Sequence, residues 1–185
     1  MKQSANQTVG PYFRIGLIYG SPQNKLVQEQ TQGEHIRISG RVLDGDGQPV
    51  LDALVEIWQP DANGIYNHPA DPLQDQVDPH FRGFGRAETR QEGVFEFVTV
   101  KPGSRNGAAP YINVRVFARG MLIHAVTRLY FADEPANAND PVLQAITPER
   151  RHTLVAHCQE TGQVFVYRFD IYLQGAQETV FFNPE

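Results

Sequence analysis

The sequence predicts an all-β protein: an antiparallel β-sandwich with long loops and one short helix. Three observations carry that expectation. Apolar and polar residues alternate at period two in several separate stretches. Sixteen glycines and thirteen prolines punctuate those stretches with turns. One stretch, beginning at Thr147-Pro148, reads as a credible helix.

The elements follow in order. Residues 1–33 read as an irregular N-terminal arm. Gly10-Pro11, Gly20 and Ser21-Pro22 break any periodicity there, and Tyr12 to Tyr19 is its one apolar patch, with room for a short strand. Residues 34–185 read as the sandwich domain. In residues 35–43, Ile36, Ile38 and Val42 alternate with His35, Arg37, Ser39 and Arg41. Asp44-Gly45-Asp46-Gly47 has the composition of a hairpin turn, returning a second strand over residues 50–58. Residues 59–93 carry Pro60, Asn63-Gly64, Pro69, Pro72 and Pro79 and read as one long loop, which in a compact domain is usually functional or an assembly element.

Residues 94–100 form a short strand ended by Lys101-Pro102-Gly103. In residues 111–118, Ile112, Val114, Val116 and Ala118 share one face and Tyr111, Asn113, Arg115 and Phe117 the other. Arg119-Gly120 is the turn into a strand ending at Phe131. Thr147 as N-cap, Pro148 at the first helical position and Glu149 in the first turn predict the helix, running to about Ala156. The last strands are residues 164–173 and 178–182. No repeat of 20–50 residues is present, which excludes a solenoid or propeller.

Composition excludes several functions. Sixteen basic against twenty-one acidic side chains give a net charge of −5, so no broad basic surface awaits nucleic acid. No stretch approaches the ~20 apolar residues of a membrane-spanning helix. Residues 1–7 lack the apolar stretch of a secretory signal, so a cytoplasmic protein is expected. One cysteine, Cys158, excludes an internal disulfide and a thiolate cluster.

The chemistry-bearing residues show no familiar catalytic motif. The six histidines include no His-x-His or His-Glu-x-x-His pattern. His68 and His80 sit with Asp71, Asp75 and Asp78 in a stretch that reads as a solvated polar loop. Cys158 beside His157 reads as a structural thiol. Gly83-Phe84-Gly85 opens no helix, so it is no nucleotide loop. Arg115 and Arg128 lie in predicted strands. Either could hold a carboxylate bidentately, although an exposed strand arginine is the commoner case. These residues alone specify a fold and no reaction.

A further set of segments resembles the intradiol ring-cleaving dioxygenases. They are Gln7-Thr8-Val9-Gly10-Pro11-Tyr12, residues 57–64, Asp78-Pro79-His80-Phe81 on to Gly85-Arg86, residues 100–103, residues 117–120, Thr127-Arg128-Leu129-Tyr130-Phe131, residues 167–171 and residues 175–182. Their order and spacing over residues 7–183 make the resemblance specific. It implies a β-sandwich and a reaction. A catechol-type substrate binds Fe(III) as a dianion, O₂ attacks, and the ring opens between the hydroxyl-bearing carbons. Protocatechuate would give a carboxymuconate. The family's ligands are two tyrosines and two histidines.

This chain departs from that ligand pattern. The family's His-x-His pair matches Tyr111 and Asn113, the tyrosine after Lys-Pro-Gly matches Arg105, the remaining tyrosine falls near Leu73, and a nearby arginine matches Ala108. The resemblance therefore implies no metal and no catalytic residue on this chain. It implies instead a non-iron alpha subunit whose Fe(III) cofactor sits on an iron-bearing beta subunit, in a hetro-oligomer acting on a small aromatic acid and O₂. It further implies that Thr8, Gly10, Pro11, Tyr12 and Arg128 line the substrate pocket. Two other readings stay open: a self-sufficient enzyme with ligands drawn from Tyr66, His68, His80 or Tyr111, and a non-enzymatic β-sandwich binding protein.

Overall fold

The computed structural model describes residues 5–18, 23–161 and 164–183. The strands are β1 (His35–Leu43), β2 (Leu54–Trp58), β3 (Phe84–Glu88), β4 (Val94–Val100), β5 (Tyr111–Phe117), β6 (Ala125–Phe131), β7 (Val155–Thr161), β8 (Val164–Arg168) and β9 (Ile171–Tyr172). The period-two reading holds in detail. Ile36, Ile38 and Val42 are buried in β1, and Ile112, Val114 and Val116 in β5.

The strands follow the order β3-β2-β5-β6-β7-β8-β1-β4, with β9 beside β1. The path divides into two wings, β3-β2-β5-β6 and β7-β8-β1-β4. Among the described residues two ladder pairs join them, Tyr130 with Val155 and Phe131 with Ala156. At the far ends β3 and β4 come into contact. One core fills the space, drawing Ile36, Phe97 and Tyr167 from one wing and Val55, Val114 and Leu129 from the other. Phe131 and Tyr167 meet edge to face across the junction, with ring centroids 4.9 Å apart. A smaller cluster of Ala109, Tyr130, Leu143 and Leu154 lies beyond.

The sheet is mixed, which corrects the expectation of a purely antiparallel sandwich. β1 pairs antiparallel with β4 but parallel with β8 and β9, and β6 pairs parallel with β7. Period two reveals which side chains are buried, not the direction of the neighbouring strand.

Local signals failed where distant pairing outweighed them. The Asp44–Gly47 turn forms, with Asp44 Oδ1 accepting from the N–H groups of Asp46 (2.9 Å) and Gln48 (2.8 Å). It does not pair β1 with β2. Pro49, opposite Leu43, has no N–H to extend a ladder, and β2 pairs with β3 and β5 instead. β3 was hidden in the predicted loop because its inward residues are Gly85 and Ala87, too small to give an apolar signal. A side chain at Gly85 would collide with Leu26.

The predicted helix over 147–156 is cut short. Helix α3 spans Pro148–Arg151 and continues only as a 3-10 turn to Leu154; the Thr147 side chain caps nothing. Val155 and Ala156 are taken into β7 by pairing with β6, which overrides helix propensity. Two helices were not expected. Helix α1 (Pro11–Ile18) replaces the short strand of the N-terminal patch, and α2 (Pro141–Ala145) is capped by Asp140. Gly20, Ser21 and Pro22 lie outside the described residues. The long strand over 164–173 is split at Phe169-Asp170, where Asp170 pairs with Arg41 at 2.8 Å. Of residues 178–182 only Phe182 bridges to the sheet, opposite Val126.

Candidate functional site

A buried aspartate organises the loop that leaves β2. Asp61 is 1% exposed. Its Oδ1 accepts from the N–H groups of Asn63 (2.9 Å) and Ile65 (3.0 Å), and its Oδ2 from that of Asp78 (3.0 Å). Gly64 holds a φ of +80°, a conformation glycine adopts without strain. Gly103 donates its N–H to the Asp61 carbonyl at 2.9 Å, and a side chain there would strike the Ala62 carbonyl. The Lys101-Pro102-Gly103 corner is thereby fastened to residues 60–64. Tyr66 and Arg105, 39 positions apart, consequently arrive at one place.

Asp71 locks that arrangement. It accepts from the N–H groups of Tyr66 (2.9 Å) and Leu73 (3.0 Å), and pairs with the Arg105 guanidinium at 2.6 Å. The Leu73 N–H above all, with those of Tyr66 and Arg105, holds the Asp71 carboxyl below the usual range against the opposing effect of burial. Arg105 also donates to the Gly64 carbonyl at 2.9 Å and lies 5.5 Å from the Tyr66 ring centroid.

These residues border a cavity of about 700 Å³. Trp58, at the end of β2, stacks on Tyr66 with centroids 5.4 Å apart and meets His68 edge-on at 6.4 Å. Asn113 and Arg115 of β5 enter from the adjoining strand, in register with Trp58 and Glu56. The Asn113 amide donates to the Trp58 carbonyl (3.3 Å) and to the Tyr66 hydroxyl (3.4 Å). Burial pushes the Tyr66 phenol well above the usual tyrosine range, and the adjacent Tyr111 phenol adds to the effect. Tyr66 is accordingly a neutral hydroxyl at physiological pH. Glu56 is held by Arg86 at 2.6 Å.

The five predicted pocket residues lie in two other places. Thr8 Oγ1 accepts from the Gly120 N–H at 2.8 Å, fixing the arm against the β5–β6 turn. Gly10 precedes α1, its carbonyl accepting from the Phe13 N–H at 3.1 Å; Pro11 begins that helix, and Tyr12 extends into solvent, 82% exposed. Phe13 packs on Phe117 at 5.3 Å and Arg14 reaches Glu88 at 3.5 Å, so the helix rests on the β3 and β5 side of the sheet. Arg128, on β6, lies over Tyr111 (4.2 Å) and Phe182 (5.6 Å) and donates to the Tyr130 hydroxyl at 3.3 Å. Tyr130 donates in turn to Asp140 at 3.2 Å. Burial raises Tyr130 to about 12, with Arg128 opposing.

Of the positions matched to family ligands, Arg105 and Asn113 line the cavity and Tyr111 adjoins it, while Leu73 is exposed. Ala108 stands opposite Arg105 in a two-residue bridge. Among the alternative ligands, Tyr66 and His68 line the cavity, but His80 faces Gln28 at 3.4 Å. Asp78 binds the N–H groups of Gln32 and His80, so the acidic residues of this loop tie backbone together. Among the described residues no three His, Cys, Asp or Glu side chains are grouped as metal ligands. Sequence reasoning missed the wall formed by Trp58 and Tyr66. No sequence signal marked it, because Trp58 meets Asn113 only through the long-range pairing of β2 with β5.

A family model described as dioxygenase matches residues 9–175. The chain is 45% identical to a protocatechuate 3,4-dioxygenase alpha chain of Pseudomonas putida, over 99% of this chain and 97% of that one. It is 36% identical to a protocatechuate 3,4-dioxygenase beta chain of Burkholderia cepacia, over 85% of this chain and 72% of the relative. Among solved structures, the dioxygenase domain of a carbohydrate-binding fusion from Streptomyces sp. SirexAA-E superposes with a TM-score of 0.68 at 28% identity, covering 84% of this chain and 89% of that one. By the family model over residues 9–175 and the identity to these relatives, the chain belongs to the intradiol ring-cleavage dioxygenase family.

Proposed function

We propose that this chain is the non-iron alpha subunit of a protocatechuate 3,4-dioxygenase, the enzyme that cleaves protocatechuate with O₂ to 3-carboxy-cis,cis-muconate. The observation that carries the reading is the 45% identity to an alpha chain over 99% of this chain, against 36% over 85% to a beta chain. The Fe(III) belongs to an iron-bearing beta partner. The donors around the cavity of this chain do not suit a ferric ion, which calls for anionic oxygen or imidazole ligands. Arg105 brings a cation and holds Asp71, Arg86 holds Glu56, and Asn113 offers an amide already used as donor, which leaves Tyr66 and His68 on the lining, short of the four ligands the family uses. No catalytic step is assigned to these residues.

The N-terminal arm, residues 1–33, is the assembly element. Thr8, Gly10, Pro11 and Tyr12 line the partner's pocket, supported by a helix fixed to the sheet that holds the Tyr12 ring out in solvent. Arg128 supplies local positive charge for an anionic aromatic acid in a chain of net charge −5. The test is co-expression with a beta chain, followed by protocatechuate-dependent O₂ uptake. The reading expects uptake from the complex and none from this chain alone. Turnover by this chain alone would overturn it. A cytoplasmic location is part of this proposal; no described helix is long and apolar enough to cross a membrane.

A further inference from the structure

A second recess opens on the outer side of the β7–β8 wing and shares no residue with the cavity beside Trp58. Its volume is about 290 Å³, at the lower edge of the range of about 300–1,000 Å³ usual for small-molecule sites. Three elements bring basic side chains to it. The 3-10 turn after α3 carries His152, β7 carries His157 and β8 carries Arg168. His157 and Arg168 stand opposite each other in the antiparallel β7–β8 ladder, and neither forms an ion pair with another described residue. Two basic groups so placed repel each other whenever both are charged. The Ser39 hydroxyl accepts from Arg168 at 2.9 Å, which fixes the guanidinium while using one of its five N–H donors. The one carboxylate among the described lining residues, Asp170, is taken up by Arg41, whose backbone N–H (2.9 Å) and guanidinium (2.8 Å) both donate to it. In a chain of net charge −5, this recess gathers basic groups that no acidic side chain neutralises.

We propose that this recess binds a small phosphate monoester, its phosphoryl oxygens held by Arg168, His152 and His157. Donors that arrive from three elements suit the three oxygens of a tetrahedral phosphoryl group; a carboxylate offers two oxygens in one plane. The guanidinium gives two parallel N–H groups to one edge of that group, and each imidazole gives one N–H. The Gln177 amide adds a neutral donor at the exposed rim. The small volume limits the rest of the ligand to a few carbon atoms. Binding involves no bond-making step. The subunit assignment makes no use of this recess, and the inference holds whether or not the chain pairs with an iron-bearing partner.

Proton NMR of the full-length chain resolves this site locally, because the imidazole ring protons of its six histidines fall in a separate window. Titration with glycerol 2-phosphate shifts two of those six histidine signals, and they are the ones lost in His152→Gln and His157→Gln. The shifts saturate with a Kd of about 0.1–3 mM, the span expected for so small a ligand. Glycerate, the matching carboxylate, binds at least about ten-fold more weakly. Arg168→Gln weakens binding of glycerol 2-phosphate at least about ten-fold, the value of a charged hydrogen-bonded contact, with the circular dichroism spectrum unchanged. The His152→Gln, His157→Gln double variant, followed by phosphorus NMR of the ligand, weakens it likewise and leaves the contact of Arg168 with Ser39 in place. Arg90→Gln, which alters an exposed arginine outside the recess, changes nothing. Absence of saturation, shifts at other histidines, equal affinity for glycerate, or undiminished binding by either lining variant would overturn the proposal. Because the readout is binding by this chain, it is separate from iron content and oxygenase activity.

Discussion

Replacing Asp61 with alanine tests how the loop cavity is held together. The carboxylate accepts three backbone N–H groups and is itself 1% exposed. The N–H groups of Ile65 and Asp78 are buried, so neither gains water when the acceptor is removed; that of Asn63 is half-buried. A buried donor without its acceptor costs about 1–3 kcal/mol, and the half-buried one less. The expected loss for Asp61→Ala is about 4 kcal/mol. For a chain of this length that lowers Tm by about 8–16 °C. Asp61→Asn keeps one acceptor oxygen but turns an amide N–H₂ toward another donor, and should lose about 2 kcal/mol. Urea unfolding followed by far-UV circular dichroism and Trp58 fluorescence measures both, with the midpoint falling and the slope unchanged. An Asp61→Ala variant within about 1 kcal/mol of the parent would refute the reasoning, because stranded buried donors cannot be that inexpensive.

In the complex with a beta chain, Arg128→Ala raises the KM for protocatechuate by about ten-fold with a smaller change in kcat, measured by O₂ uptake; an unchanged KM would remove Arg128 from the pocket. Tyr12→Ala leaves thermal stability within about 0.5 kcal/mol, since the ring is solvent-exposed, but weakens association with the beta chain in sedimentation velocity. Burial raises Tyr66, Tyr130 and Tyr167 above the ordinary tyrosine value. Their contribution to stability is therefore complete below pH ~10 and is lost as pH rises through the folded values. Absorbance at 295 nm should show these three of the seven tyrosines ionising only beyond the others, or together with unfolding. For Asp133 burial acts upward, but hydrogen bonds from Lys101 and Tyr167 prevail and hold the carboxyl low; Asp71 is held low as described. Their contribution is present above pH ~4 and lost as pH falls through the folded values, so the Asp71→Asn, Asp133→Asn double variant should flatten the acid limb of stability against pH.

What the sequence disclosed follows its physics. Side-chain alternation in β1, β4 and β5 is a local property, and it located those strands within a residue or two. Strand direction is not local, so the parallel pairing of β1 with β8 was invisible, as was the strand β7 behind good helix-start residues. β3 escaped because its inward residues, Gly85 packed against Leu26 and Ala87, are too small to signal burial. The cavity was half legible. Arg115 and Asn113 could be placed on one face of a strand, and Arg105 opposite the ligand pattern. The Trp58–Tyr66 stack and the Asp71–Arg105 pair depend on how residues 59–83 fold around Asp61, which no periodicity encodes.

The central claim is that this chain contributes a subunit but not the iron. The most direct test is metal content, determined per chain on the purified full-length protein after aerobic loading with iron, alongside its complex with a beta chain. The account predicts no stoichiometric iron and no tyrosinate-to-iron absorption in the chain alone, and one iron per alpha-beta pair in the complex. Stoichiometric, coloured iron in the chain alone would contradict it and return Tyr66, His68 and Tyr111 to consideration as ligands.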